Sequence, residues 1–142
     1  MTHLPKRLSH ILAGEIYQRN DIDLVKEALS MLNVNPSPAF KEFYGKYAGP
    51  FWEEHIPFEL LDVAEEERNI TSYTYIARKE HGFPDRYLVL SEISTNAILV
   101  LDSVTDKVYC VNFEGEDKRL LQGELPEAWP SFYAFLMEYF DC

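Results

Sequence analysis

Three short apolar runs dominate the last third of the chain, at residues 87–90, 97–101 and 108–111. Polar turns separate them, and residues 102–107 have the length and the Asp, Ser and Thr side chains of a hairpin loop. The first two runs are apolar throughout, which predicts strands that are covered on both faces or that lie centrally in the sheet. In the third run Cys110 lies between Tyr109 and Val111, where a thiol is expected to behave as a small hydrophobic side chain.

A single aromatic helix is predicted after the sheet, over residues 130–140. Its apolar side chains recur at spacings of three and four, which is typical of a helix face that packs against a core. They are Phe132, Phe135, Leu136, Tyr139 and Phe140. We therefore predict that this helix closes one face of the sheet.

Two helices are predicted in the first third of the chain. Apolar residues at helical spacing, from Ile22 to Leu32, predict a helix over about 21–33. A second helix starts at Ser37-Pro38, which combine an N-cap hydroxyl with a proline at the first helical position. It is expected to stop at residues 48–50, with Gly49 in the left-handed conformation.

The segment between these helices and the sheet is more ambiguous. A short strand is predicted around residues 58–61. Residues 65–80 are interpreted as a helix with acids early and Arg78-Lys79 late, as the helix dipole prefers. Because Tyr73 and Tyr75 favour strands, the strand alternative stays open. His81-Gly82-Phe83-Pro84 marks a stop before the sheet.

Together these elements predict one α+β domain over residues 1–142. An antiparallel sheet of about four to six strands would be flanked by the N-terminal helices and by one C-terminal helix. The first 13 residues are too interrupted by polar side chains for a signal-peptide core. The two cysteines form no disulfide framework, and Cys142 is expected to be exposed. We therefore expect a cytoplasmic protein.

The net charge of the chain limits the classes of molecule that it can bind. The chain has 24 Asp and Glu against 13 Lys and Arg, a net charge of −11. This field repels nucleic acids and anionic membranes, and it favours basic partners. Residues 53–67 contain seven carboxylates and no Lys or Arg, and a second acidic cluster lies at residues 114–117. These stretches are either a solvated face or a docking surface for a cationic protein.

The sequence contains no recognisable set of catalytic residues. The four histidines lie in separate segments, without the paired spacing of a zinc site. The triplet Glu53-Glu54-His55 could supply ligands, but an isolated triplet beside Trp52 is more typical of a surface. GxSxG and phosphate-binding glycine loops are missing from the sequence. We predict no catalytic residue, no metal site and no cofactor.

The order of these motifs resembles that of a known family. A proline-led helix with an aromatic stripe and a glycine stop precedes the sheet. A strand containing Val-Tyr and a terminal Ser-Phe-x-x-Phe-Leu helix follow it. The residues that carry the match are Pro38, Phe43, Gly49, Val108, Tyr109, Ser131, Phe132, Phe135 and Leu136. Over roughly residues 20–140 the chain resembles the SUKH superfamily, which includes a fungal cell-wall-synthesis regulator and many bacterial immunity proteins.

The resemblance implies a non-enzymatic immunity protein that binds and neutralises a cognate bacterial toxin, encoded by a neighbouring gene. A nuclease-type toxin would be basic where it grips phosphate, so acidic stretches would cover that cleft. The alternative is a regulatory scaffold of the fungal type. The oligomeric state stays open. The predicted partner-binding residues are Trp52, Glu53, Glu54, Glu65, Glu66, Glu67, Glu114, Glu116 and Asp117.

Overall fold

The computed structural model describes residues 2–53, 55–64 and 68–142. In these residues it has six α-helices, one 3₁₀ helix and one antiparallel sheet of three strands. In chain order the elements are α1 (Leu8–Ile11), the 3₁₀ helix (Glu15–Tyr17), α2 (Ile22–Leu32), α3 (Pro38–Lys46), α4 (Ile70–His81), β1 (Tyr87–Val89), β2 (Ala97–Asp102), β3 (Val108–Asn112), α5 (Glu116–Leu121) and α6 (Phe132–Tyr139).

The sheet has the order β1-β2-β3, and the three apolar runs form its strands as predicted. In the central strand Leu101 lies opposite Leu88 on one side and Val108 on the other. Four to six strands are not confirmed, since the described residues contain three. In place of a strand over residues 58–61, Leu60 forms an isolated bridge with Phe51, and Leu61 N–H donates to Leu90 O at 2.9 Å.

Side chains of alternate residues enter two separate cores, so the sheet is covered on both faces, as predicted. The larger core packs the face of Leu99 and Leu101 against α2, α3 and α6. The smaller core packs the face of Ile98 and Val100 against residues of α4 and α5. Cys110 was expected inside but is exposed, because the larger core ends at Val108 in this edge strand.

Aromatic rings of α3 and α6 fill the larger core. The Phe40 and Phe132 ring centroids are 5.2 Å apart, and Phe43 lies 5.2 Å from Phe51. The Ser131 hydroxyl accepts from Ala134 N–H at 3.0 Å and caps α6. The predicted stripe of α6 is buried throughout. Cys142 is half-buried against this core, so its predicted exposure is wrong.

Helices α2 and α3 begin and end close to the predicted residues, but Gly49 has another role than predicted. Helix α3 ends at Lys46, and the next residue, Tyr47, is extended. The chain turns there to pair with the 3₁₀ helix, where Ala48 N–H donates to Tyr17 O at 2.9 Å. Gly49 does not have a positive φ. A Cβ atom at Gly49 would lie 2.8 Å from the Phe51 ring, so the absence of a side chain is what the site requires.

Helix α4 resolves the ambiguous segment as a helix, starting five residues later than predicted. Asn69 and Ser72 form a capping box, in which the Asn69 side chain accepts from Ser72 N–H at 2.7 Å. The first turn therefore carries no acid, and packing outweighs the strand preference of its tyrosines. Gly82, with φ of 68°, ends the helix as predicted. Helix α5 was not predicted.

Candidate functional site

Trp52 protrudes from a loop whose ends are fixed in the core. Its neighbour Phe51 is buried and pairs with Leu60 through two backbone hydrogen bonds, of 2.8 and 2.9 Å. Trp52 itself is 62% exposed. Tryptophan is among the residue types enriched at the energetic centres of protein–protein interfaces.

The C-terminal helix supports this loop from below. The buried Tyr139 hydroxyl lies 2.9 Å from both Phe51 O and Phe58 O, and it accepts from Leu60 N–H at 3.1 Å. Burial raises the pKa of Tyr139, so the hydroxyl keeps its proton and donates to one or the other of these carbonyls. The helix thereby fixes the backbone on both sides of the loop that carries Trp52.

A groove of about 220 Å³ lies beside Trp52. Ile93 forms part of its lining and is also 62% exposed. A tight turn presents Ile93: Ser94 and Ala97 exchange backbone hydrogen bonds of 2.8 and 3.0 Å, and Asn96 has a φ of 60°. We refer to the residues that line this groove as the Trp52 surface; they are Trp52, Pro57, Glu59, Glu92, Ile93 and Ser94.

Two carboxylates of the Trp52 surface share one arginine. Arg68 contacts Glu59 at 3.1 Å and Glu92 at 3.0 Å. The Tyr73 hydroxyl donates to Glu92 at 2.5 Å, and this hydrogen bond raises the pKa of Tyr73. Two negative charges and one positive charge leave this network with a net charge of −1. The groove therefore combines apolar side chains with an acidic rim.

The predicted binding residues fall in different places. Trp52 is exposed and Glu53 is half-buried. Glu54, Glu65, Glu66 and Glu67 lie outside the described residues. The sequence did not indicate Glu92 or Ile93, because turn geometry brings them to Trp52 from about 40 residues away in the chain. The sequence carried only a weak signal for them, an isoleucine among polar residues after the first apolar run.

In the second acidic cluster, at residues 114–117, local hydrogen bonds stabilise the turn before α5. Glu116 accepts from Asn112 N–H at 3.0 Å, and the Asn112 side chain accepts from Glu114 N–H at 3.0 Å. Glu116 and Asp117 form the first turn of α5, where the helix dipole favours acids. Glu114 is the exposed member of the cluster.

One carboxylate of the acidic run 53–67 is not available to a partner. The side chain of Asp62 is 5% exposed and pairs with Arg19, which is 1% exposed. Arg19 also contacts Asp21 at 2.7 Å and donates to Tyr47 O at 3.2 Å. This buried ion pair links Arg19, just before α2, to Asp62 in the acidic run.

The described residues show neither a metal-binding group nor a membrane span. Within them, no three His, Cys, Asp or Glu side chains are close enough to hold a metal ion. The His55 ring nitrogen Nε2 lies 2.8 Å from Glu138 O, to which it donates. None of the helices in the described part has the length and apolar character needed to cross a membrane.

Comparison with protein families gives a match over most of the chain. The family model described as the SMI1 / KNR4 family (SUKH-1) matches residues 20–138. Curated proteins give no match. Members of this family are generally non-enzymatic and act in protein–protein interactions. The matched range includes the Trp52 surface and all the strands described above.

Proposed function

The chain belongs to the SMI1 / KNR4 family (SUKH-1), and from this we propose that it is a non-enzymatic immunity protein that binds and neutralises a cognate bacterial toxin. The toxin would be a basic, nuclease-type protein encoded by a neighbouring gene, and binding would occur in the cytoplasm. The observation that carries the proposal is the exposed Trp52, held rigidly beside an exposed Ile93 and an acidic rim.

Charge supports a basic partner. A net charge of −11 steers cationic proteins towards the chain and repels nucleic acids, so the protein would compete with the toxin's substrate without binding that substrate itself. Residues 53–67 carry their carboxylates without a Lys or Arg among them. In this proposal the charges set the association rate.

Trp52 and Ile93 would supply the anchor. Aromatic side chains at the centre of an interface carry a large part of the binding energy, and their loss acts mainly on the dissociation rate. Because Phe51 and Tyr139 fix the loop before binding, little conformational entropy is lost when Trp52 is covered.

The test is kinetic binding to a catalytically inactive product of the neighbouring gene, together with inhibition of the active form. Trp52→Ala should raise the dissociation rate by about 30-fold, the effect of a 2 kcal/mol hot spot. Tyr133→Ala, which removes an exposed aromatic side chain from α6, should change the rate by less than about twofold.

Charge reversal tests the steering. Replacing Glu65, Glu66 and Glu67 with lysine should slow association, and high salt should reproduce this effect. The matched reversal at Glu15, Glu27 and Glu80, which are exposed elsewhere, should slow it less. Association that is indifferent to salt and to the first reversal would exclude this stretch as the docking face. Binding without inhibition would favour the regulatory scaffold.

A further inference from the structure

A groove between α2 and α3 shares no residue with the Trp52 surface. Its volume is about 600 Å³. The floor is apolar, formed by Val25 and Leu29 of α2 and by Val34 of the connection. Ile22, at one end of the groove, is 44% exposed, so the core of the chain does not cover it. A groove of this size and apolar character is typical of a binding site.

Two lysines stand on the rim of this groove, in a chain that is otherwise strongly acidic. Lys26 of α2 and Lys41 of α3 are both exposed. Lys41 contacts the Asn35 side chain, and neither lysine has an ion-pair partner among the residues that the structure describes. Their charges are therefore available to an occupant of the groove.

The one acidic residue of the groove is already neutralised. The Glu42 carboxylate accepts from the Thr2 hydroxyl and from His3 N–H at 2.8 Å, and it pairs with Lys46 at 3.2 Å. Burial acts to raise the pKa of Glu42, but these hydrogen bonds outweigh it and hold the pKa below its ordinary value. Glu42 thus contributes little repulsion towards an anionic occupant.

The shape of the groove favours a helix. Ile22, Val25 and Leu29 follow the groove at spacings of three and four; Ile22 is exposed, and the other two form a floor that is at most 8% exposed. Gly45 keeps the facing side of α3 low, since a Cβ there would lie 3.4 Å from Ile22. An amphipathic helix places its apolar face in such a groove and leaves its polar flanks at the rim. We propose that the α2–α3 groove binds an amphipathic helix of a partner protein, with acidic flanks that meet Lys26 and Lys41.

This inference goes beyond the toxin-binding proposal, since it assigns a second surface of opposite charge. A basic toxin would be attracted to the acidic stretches and repelled by this rim. The two surfaces could therefore be occupied by different proteins, or by a basic domain and an acidic segment of one partner.

The probe for the experiment is a fluorescein-labelled synthetic peptide of about 14 residues, with leucines at positions i, i+3, i+4 and i+7 and glutamates on both flanks. A second peptide carries glutamine in place of each glutamate. Fluorescence anisotropy is measured against the full chain. The glutamate peptide should bind about tenfold more tightly than the glutamine peptide.

Matched variants then locate the binding. Lys26→Glu combined with Lys41→Glu should weaken binding of the glutamate peptide by about tenfold or more. Lys79→Glu combined with Lys118→Glu makes the same change in net charge at exposed residues elsewhere, and should change the affinity by less than about threefold. If the rim reversal lowers the melting temperature, Lys26→Gln with Lys41→Gln provides the milder test, with an intermediate loss.

Filling the groove is the independent test. Ser30 is exposed and lines the groove, so Ser30→Trp should abolish binding while the melting temperature is retained. The proposal is overturned if the glutamate peptide binds no better than the glutamine peptide, if both lysine pairs act equally, or if Ser30→Trp binds normally. It is also overturned if the chain dimerises in sedimentation equilibrium and Ser30→Trp makes it monomeric, because a second copy would then be the occupant.

Discussion

Replacing Tyr139 with phenylalanine removes one oxygen atom from the core and tests how the Trp52 loop is held. The ring stays in place, so no cavity larger than a hydroxyl is created. The hydroxyl donates to Phe51 O or Phe58 O, each at 2.9 Å, and accepts from Leu60 N–H at 3.1 Å.

Removing the hydroxyl would affect its three backbone hydrogen-bond partners unequally. Leu60 N–H and Phe51 O still bond to each other at 2.9 Å. Within the described residues Phe58 O has no other partner, so it would be left buried and unsatisfied. An unsatisfied buried group costs about 1–3 kcal/mol, out of a total stability of about 5–15 kcal/mol for a domain.

Urea unfolding measures this effect. The midpoint should fall with an unchanged slope, and the melting temperature should fall by about 3–10 °C, at roughly 3 °C per kcal/mol for a chain of this size. Tyr133→Phe is the matched control, since Tyr133 lies on the same helix and is exposed, and its effect should be below about 0.5 kcal/mol. If both variants lose the same small amount, the Tyr139 hydroxyl does not hold the loop.

Two further predictions concern the core and the sheet. Truncation after Glu127 should abolish cooperative unfolding, because each buried aromatic side chain of α6 contributes about 3–5 kcal/mol; a cooperative melt near the parent temperature would contradict this. Burial acts to raise the pKa of Asp102, but hydrogen bonds from Arg86 and from backbone N–H groups outweigh it and lower the pKa. Its stabilisation is therefore present above the unfolded-state pKa, about 3.9, and is lost as the pH falls through the lower folded-state pKa. Asp102→Asn should cost most stability at neutral pH and least at pH values below the folded-state pKa, measured by urea midpoints; a cost independent of pH would refute the assignment.

Much of the fold was determined by local sequence patterns. The stripe of α6, the Ser37-Pro38 start of α3 and the three apolar runs each depend on residues a few positions apart. Such patterns follow from backbone geometry and from the need to bury apolar side chains on one face or two. The net charge, and with it the class of partner, is likewise a property of the sequence alone.

The tertiary structure decided which polar residues are free to act. Asp62 carries a carboxylate like its glutamate neighbours, yet it is buried against Arg19, which lies 43 residues earlier. Burial of a charge requires a partner, and no local pattern specifies a partner so far along the chain. For the same reason the sequence could not indicate that Glu92 and Ile93 would lie beside Trp52.

Packing also overrode local preference where the two disagreed. The tyrosines of α4 favour a strand, but the capping box at Asn69 and the cover that α4 gives to the sheet make the segment a helix. Gly49 was interpreted as a helix stop, and its missing side chain instead leaves room for the Phe51 ring. By itself the sequence determined most of the helices, the three strands and the charge that the protein presents. The tertiary structure alone decided which side chains meet, because contacts between distant residues depend on the whole packed core.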